Sequence, residues 1–395
     1  MTYPLDFTLP KEVLEEIATQ GLDYVPELIR LVLNSAMKAE RQQYLGVAPY
    51  ERSPERRDQS NGFKPKSVQT RLGEIEFAIP QVRTGDFYPQ ALDKGLRSER
   101  ALTMALAEMY VQGTSTRKVN AILEKLCGSQ VSSTLVSQAT AKLDPVLDAW
   151  RTRPLGEAAY LFLDARYEKV RQDGQVVDLA VLIAQVVDGE GKRRLVGVMI
   201  GQGEAEIYWR AFLQSLVQRG LCGVRLITSD AHAGLAQARK AIFSGVPWQR
   251  CQFHLQQNAT AYVPRKEMLG EVAADLRTVF NAPTRATAEL YLKQSVQKYE
   301  ARAARLADWL ELNIPEGLTV FDFPEAHRRK LRTNNSLERL NREIGRRTDV
   351  VTIFPNEAAC LRLISALLME QDEAWQTGRI YLAMDTGEAQ DFPLK

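Results

Sequence analysis

Three carboxylates in this chain sit where they could share a pair of metal ions. Asp164 closes the apolar run AAYLFLD, Asp230 closes GVRLITSD, and Glu338 lies in the segment HRRKLRTNNSLERLNREIGRR. Two strand-end aspartates and a helical glutamate supply the hard oxygen ligands that Mg²⁺ prefers, and two such ions bracketing a phosphate perform in-line phosphoryl transfer. From His327 to Arg347 there are eight Lys or Arg against two Glu, a local charge suited to a phosphodiester substrate. Each acid also has a plainer reading. Asp164 could be a turn residue, although an unpaired carboxylate after Tyr160 to Leu163 is costly to bury without a cation. Asp230 could cap the helix that starts in AHAGLAQAR. Glu338 competes with Glu343 and Glu357. At about 100° per residue, Glu338 and Glu343 point roughly 140° apart, so only one of them can face a metal. Either could instead pair with Arg339, Arg342, Arg346 or Arg347, and the basic run could be a solvated helical face.

The elements that would position these acids follow from periodicity. From Tyr160 to Gly201 three apolar runs are broken by Asp173-Gly174 and by the cluster Asp188 to Gly191, which predicts three antiparallel strands. A helix (AEIYWRAFLQSLVQRG), a fourth strand (GVRLITSD), a helix (AGLAQARKAIFSG) and a fifth strand (PWQRCQFHL) come next. The order βββαβαβ describes an α/β fold with a mixed five-stranded sheet, the order of ribonuclease H-like nucleases and transposases. Its fourth strand, reached by a helical crossover, can lie parallel beside the first and bring Asp164 to Asp230. From about Val263 to Asp322 the pattern turns helical and amphipathic, an all-helical insertion. Asp230 and Glu338 are 338 − 230 = 108 positions apart, so the third acid must return across that insertion.

The N-terminal third reads as a mainly helical DNA-binding region. Pro26 opens a helix with Leu28, Ile29, Val32, Leu33 and Met37 on one face, and Gly46 stops it. A flexible basic arm and one short strand through Ile75, Phe77 and Ile79 are expected next. Helices from about Ser98 to Gln112, from Thr116 to Leu126 and from a cap near Ser132 to Thr134 then give helix-turn-helix spacing, with Gly128 at the turn. On that reading Ser133, Thr134, Ser137 and Gln138 face base edges or phosphates, with Arg117 and Lys118 nearby; an ordinary αα-hairpin has the same pattern.

Composition narrows the rest. The net charge is only +2, so any pull on nucleic acid must be local. No run of about 18 apolar residues and no basic-then-apolar leader occurs, and the expectation is a cytoplasmic, nucleoid-associated protein without a membrane partner. The four cysteines, Cys127, Cys222, Cys251 and Cys360, are scattered, so free thiols are expected. Cys251 and His254 resemble half of a zinc site, but no second Cys pair stands near them, and zinc is not expected. His232, two residues past Asp230, is in reach of a phosphate or simply an exposed turn histidine. Without a G-x-x-x-x-G-K-[ST] loop, ATP use is not expected, and G-x-S-x-G is absent too.

Taken in order, the blocks QTRLGEIEFAIPQVRTGDFYP, D-A-x-x-x-K-V-R at Asp164 to Arg171, S-D-A-H-x-G-L at Ser229 to Leu235, C-x-F-H at Cys251 to His254 and T-N-N-x-x-E-R-x-N-x-E at Thr333 to Glu343 resemble the Mutator-type transposases of bacterial insertion sequences, along nearly the whole chain. The resemblance implies that Asp164, Asp230 and Glu338 are the acidic triad, and so favours Glu338 over Glu343. It implies that Cys251 and His254 are the family's C/D-x-x-H signature, that a helical insertion separates the second and third acids, and that the N-terminal region binds terminal inverted repeats. Two Mg²⁺ ions, replaceable by Mn²⁺, would be held by the triad. Arg339, Arg342, Arg346 and Arg347, with Lys169 and Arg171, would clamp phosphates. Where family members often carry a run of arginines after the last Asn, this chain reads REIGRR. The expected layout is 1–97 helical with the arm and short β element, 98–153 helix-turn-helix, 154–262 first part of the ribonuclease H-like core, 263–325 insertion and 326–395 C-terminal core helices. Synapsis of two DNA ends implies at least a dimer on double-stranded DNA, both inverted repeats and target. The competing readings are a DNA-binding regulator without activity and a ribonuclease H-like nuclease that cuts without joining.

Overall fold

The computed structural model describes residues 11–47, 51, 53–92, 94, 100–111, 116–127 and 133–384. They form two compact units, residues 1–142 and 143–395.

In the first unit, helix α1 (Lys11–Gln20) is followed by α2 (Val25–Leu45), with Pro26 in its first turn and Gly46 as a left-handed cap at φ 72°. Met37 is fully buried, with Ile29 and Leu33 packed around it, whereas Val32 is 48% exposed and lies off the buried stripe. Strands β1 (Ser60–Thr70) and β2 (Gly73–Val82) pair antiparallel, and Val68, Ile75, Phe77 and Ile79 pack against α2. Asn34 Oδ1 accepts a bond from Ala78 N at 3.0 Å, pinning helix to hairpin. The later part of the expected basic arm is therefore β1. Its alternation is hidden because all but Val68 of its side chains are polar, exposed or half-buried, as an outer strand allows, and Pro65 is tolerated there for the same reason.

Helices α3 (Arg100–Val111), α4 (Thr116–Cys127) and α5 (Ser133–Ala141) share a small core of Leu102, Leu106, Val119, Leu123, Val136 and Ala139. The turn expected at Gly128 lies outside the described residues. Helix α6 (Asp144–Thr152) belongs to the second unit rather than to the helix-turn-helix segment. Arg362 donates twice to Asp144, at 2.6 and 2.7 Å, and Trp150 Nε1 reaches Asp372 at 3.3 Å.

The second unit is a mixed α/β structure around one five-stranded sheet. Strands β3 (Ala158–Gln172), β4 (Gln175–Asp188) and β5 (Arg193–Gly201) form an antiparallel meander, and helix α7 (Glu206–Gln218) crosses to β6 (Leu226–Ser229). Helix α8 (Ala233–Ile242) crosses to β7 (Trp248–Arg250). The strand order is β5-β4-β3-β6-β7, with β6 parallel to β3 and β7 parallel to β6. Leu161, Leu163, Leu182 and Ala184 point to one face, where they meet Trp209, Phe212, Leu213 and Leu216 of α7 and Leu235 of α8. The alternate residues of β3 therefore face the other way.

Two boundaries differ from expectation. Asp164 does not end its strand: β3 runs on to Gln172, because polar residues there still pair with β4. The fifth strand stops at Arg250, and Gln252–Ala259 forms α9 with Cys251 as its N-cap residue. The short run RCQFHL carries no alternation long enough to separate strand from helix.

After α9, helices α10 (Leu269–Phe280), α11 (Arg285–Glu300) and α12 (Ala304–Asn313) fold on one another, burying Leu276, Val279, Leu292, Tyr299, Leu306 and Leu310. The chain returns through two 3-10 turns, Ile314–Gly317 and Thr319–Asp322, and α13 (Glu325–Leu331) into α14 (Asn335–Val351) and α15 (Glu357–Thr377). Gln249 and Gln252 both donate to Gly317 O at 2.8 Å, Thr228 Oγ1 donates to Leu331 O at 2.9 Å, and Gln252 N donates to Arg332 O at 2.9 Å. These bonds tie the returning chain to the ends of β6 and β7. Among the described residues, no helix is long and apolar enough to cross a membrane.

Candidate active site

Asp164 and Asp230 meet through the parallel pairing of β3 and β6. Tyr160 pairs with Leu226 and Phe162 with Thr228, an offset of 226 − 160 = 66; the same offset sets 164 opposite 230. Asp230 is the first residue past β6, and its Oδ1 accepts from Ala231 N at 2.7 Å. The N-cap of α8 is His232, not Asp230, so the capping reading of Asp230 does not hold. His232 Nδ1 lies 4.0 Å from Glu204 Oε2.

Helix α14 lies across the face of β3 that carries Asp164 and is fastened there by its N-cap residue Asn334 and by Asn341 and Thr348, each about two helical turns further on. Asn334, fully buried, donates from Nδ2 to Leu163 O at 2.8 Å. Asn341 donates from Nδ2 to Asp164 Oδ2 at 2.8 Å, and Arg166 donates to Asn341 O. Thr348 Oγ1 bonds Glu168 Oε1 at 3.0 Å, and Arg166 Nε lies 2.7 Å from that same oxygen. Gly345 fits here for lack of a side chain: a Cβ would come within 3.3 Å of the Arg166 guanidinium. The glycine that interrupts the arginine run is thus the point where α14 passes over Arg166.

The electrostatics are those of crowded, half-buried carboxylates. Burial pushes Asp164 up to about 7, the Ala165 N–H opposes this only in part, and the charges of Glu338, Asp230 and Glu204 add to it. Burial also raises Glu338, against the pull of His254 and Arg342. Glu343 is turned away: it accepts from Arg346 at 2.7 Å and Arg347 at 3.1 Å, and these bonds lower it. Glu357 stands in the first turn of α15. Carboxylates gathered where β3 and β6 lie side by side, two of them, Asp164 and Glu338, pushed towards neutrality, fit divalent cations bound through oxygen.

Sequence reasoning missed Glu204, which follows β5 in the turn Gly201-Gln202-Gly203-Glu204 and adds to the field at Asp164. Its signal was the Gly of S-D-A-H-x-G-L. A Cβ on Gly234 would lie 2.1 Å from Glu204 O, so α8 packs directly on that turn.

Cys251, His254 and Glu338 form a second group, their ligand atoms all within 4.8 Å of one another. Cys251 Sγ is 4.0 Å from Glu338 Oε1 and accepts from Asn334 N at 3.4 Å. Burial pushes the Cys251 thiol up to about 11, against the N–H groups of Asn334, His254 and Phe253.

The basic residues divide. Arg339 and Arg342 are exposed and make no ion pair among the described residues. Arg346 and Arg347 are engaged by Glu343. Lys169 pairs with Asp178 at 3.0 Å, and by alternation Lys169 and Arg171 lie on the face of β3 away from Asp164, so the structure does not bring them to the acids. On α5, Thr134, Ser137 and Gln138 are exposed along one face, opposite buried Val136, Ala139 and Thr140. Lys118 is exposed on α4; the side chains of Arg117 and Ser133 lie outside the described residues.

Half-buried acids where two parallel strands meet a helix returning from beyond an insertion are in keeping with a protein of the transposase class. The chain belongs to the Mutator family of transposases, whose pattern it matches over residues 7–378. It is 57% identical to the transposase for insertion sequence element IS406 of Burkholderia multivorans, over 92% of this chain and 94% of that one. It is 42% identical to the transposase for ISRM5 of Rhizobium meliloti, covering 94% and 93%, and 35% identical to the transposase for IS256 of Staphylococcus aureus, covering 96% and 98%.

Proposed function

We propose that this protein is the transposase of an insertion sequence, binding the element's terminal inverted repeats and carrying out Mg²⁺-dependent strand cleavage and strand transfer with Asp164, Asp230 and Glu338. The observation that carries this is the convergence of the two aspartates from adjacent parallel strands with α14, whose Asn341 holds Asp164 and whose Glu338 acts on its charge. The βββαβαβ sheet with its third acid returning across a helical insertion supports a ribonuclease H-like core.

The divalent ions, two Mg²⁺ or Mn²⁺, would be held by the three acids and would supply charge stabilisation to the entering and leaving oxygens. The rest falls to the chain's own side chains. Asn341 fixes the rotamer of Asp164, leaving its carboxylate oriented before DNA arrives. Arg339 and Arg342, exposed on the helix that carries Glu338, hold backbone phosphates on either side of the scissile one. Water attacks the phosphodiester at the element's end, leaving a 5′-phosphate and a 3′-hydroxyl; that hydroxyl then attacks a target phosphodiester, whose own 3′-oxygen departs, so one ester bond replaces another and neither ATP nor a covalent protein intermediate is needed. The exposed row Thr134, Ser137 and Gln138 on α5 fits a recognition helix in a major groove, and exposed Lys118 on α4 suits a phosphate contact; Arg117 and Ser133 are assigned to DNA from the sequence alone. Two ends must be joined, so the working form is at least a dimer.

The test is Asp164→Asn assayed with DNA bearing the element's ends. The expected outcome is loss of cleavage and joining with inverted-repeat binding intact. Full Mg²⁺-dependent cleavage by that variant would overturn the assignment. Binding without cleavage by the unaltered protein would mark a regulator, and cleavage without joined products a nuclease.

A further inference from the structure

We propose that Cys251, His254 and Glu338 form a site for a thiophilic divalent ion of the zinc class, distinct from the all-oxygen site, and that filling it withdraws Glu338 from the aspartates. The binding claim stands on these three side chains alone; its consequence for Glu338 rests on the catalytic reading above.

The geometry is close to what such an ion needs. Tetrahedral zinc with bonds of about 2.0–2.3 Å sets its ligand atoms roughly 3.5 Å apart. Here all three lie within 4.8 Å and the Sγ to Oε1 separation is 4.0 Å, so side-chain rotation by a fraction of an ångström to about 1 Å closes the set. Cys251 caps α9 and His254 sits one turn further on, which places both on one side of the helix start. Two features of the surroundings point to a ligand. The backbone N–H groups of Asn334, His254 and Phe253 are directed at Sγ, the outer bonds that stabilise a metal-bound thiolate. His254 Nδ1 is buried with no hydrogen-bond partner among the described residues. A donor set of sulfur, nitrogen and one carboxylate oxygen selects a borderline-soft ion over Mg²⁺, which prefers oxygen. Among the described residues no fourth Cys, His or carboxylate joins the group, so it is not a closed four-ligand site. Three protein ligands with a fourth position open to water make an exchangeable one.

Cobalt(II) titrated into the full-length protein tests this, in a Cys222→Ser background because the Cys222 thiol is exposed. One equivalent should produce a sulfur-to-cobalt charge-transfer band that zinc abolishes. Because Cys251 is fully buried, its variant is paired with one at half-buried His254. Cys251→Ala should remove the band, and His254→Ala should weaken cobalt binding by roughly tenfold or more. Asp164→Asn should keep both band and affinity. No band, or a band of unchanged affinity in both ligand variants, would overturn the site. Zinc added before Mg²⁺ should slow cleavage of end DNA, and a chelator selective for zinc should restore it; a filled site with no slowing would overturn the withdrawal of Glu338. A protein that fails to cleave even without zinc would count against the catalytic reading, leaving the cobalt band to decide the site.

Discussion

Asp164 is the residue on which the site's pH behaviour turns. Its carboxyl, pushed up to about 7 by burial and by neighbouring acids, binds a proton more tightly in the folded than in the unfolded protein. The stability this contributes is full below the unfolded value of about 4 and is lost as pH rises towards 7. Metal-free protein should therefore lose thermal stability between pH 4 and 8, and Asp164→Asn should flatten that slope. Mg²⁺ binds the ionised form, so it should raise Tm more at pH 8 than at pH 5. Thermal melts at several pH values with and without Mg²⁺ check this, and an equal Mg²⁺ effect at both pH values would contradict it. At this scale the sequence was only partly legible. The apolar runs before Asp164 and Asp230 marked them as buried acids, but nothing local told Glu338 from Glu343. Arg342 stands four residues past Glu338 as Arg347 does past Glu343, so local spacing is ambiguous; what sets Glu338 apart is Cys251 and His254, far along the chain, while Glu343 keeps to its local Arg346 and Arg347 clamp.

Between elements, the close approach of α8 to the turn after β5 holds Asp230 and Glu204 in place. Gly234 has no room for a methyl group, since the contact is with backbone atoms of Glu204, Ala205 and Glu206 that cannot swing aside. Gly234→Ala should destabilise the protein by about 1–3 kcal/mol through overpacking and should also displace the turn that bears Glu204. Chemical unfolding measures the first effect; the second is read as weaker Mg²⁺ stabilisation. The same alanine at Gly270, where a Cβ meets nothing within 4 Å, should be nearly neutral. Elements with strong periodicity were legible: the meander, both crossovers and the insertion all follow from patterning and Asp-Gly turns. Strand β1 was not, since a polar outer strand carries little alternation, and neither was α9, whose first turn reads equally well as the end of β7.

Over the whole molecule, 51 basic and 49 acidic residues nearly cancel, so affinity for DNA depends on which cations are left uncommitted. That separation is visible: Arg346 and Arg347 share the one carboxylate of Glu343, and Lys169 on β3 pairs with Asp178, while Arg339 and Arg342 make no ion pair among the described residues, Arg342 acting on Glu338 only from a distance. A cation already paired with a carboxylate displaces fewer counterions from DNA than a free one, because its charge is largely spent within the protein. Arg339→Ala and Arg342→Ala should each lower the slope of log affinity against log salt by about 1, on any DNA sequence. Arg346→Ala should change it far less, and Glu343→Gln, by releasing two arginines, should steepen it. Fluorescence anisotropy over a range of salt concentrations measures all four slopes. If all three arginine variants lowered the slope equally, charge would be acting as an undifferentiated patch, and the pairing seen around Glu343 would carry no weight in binding.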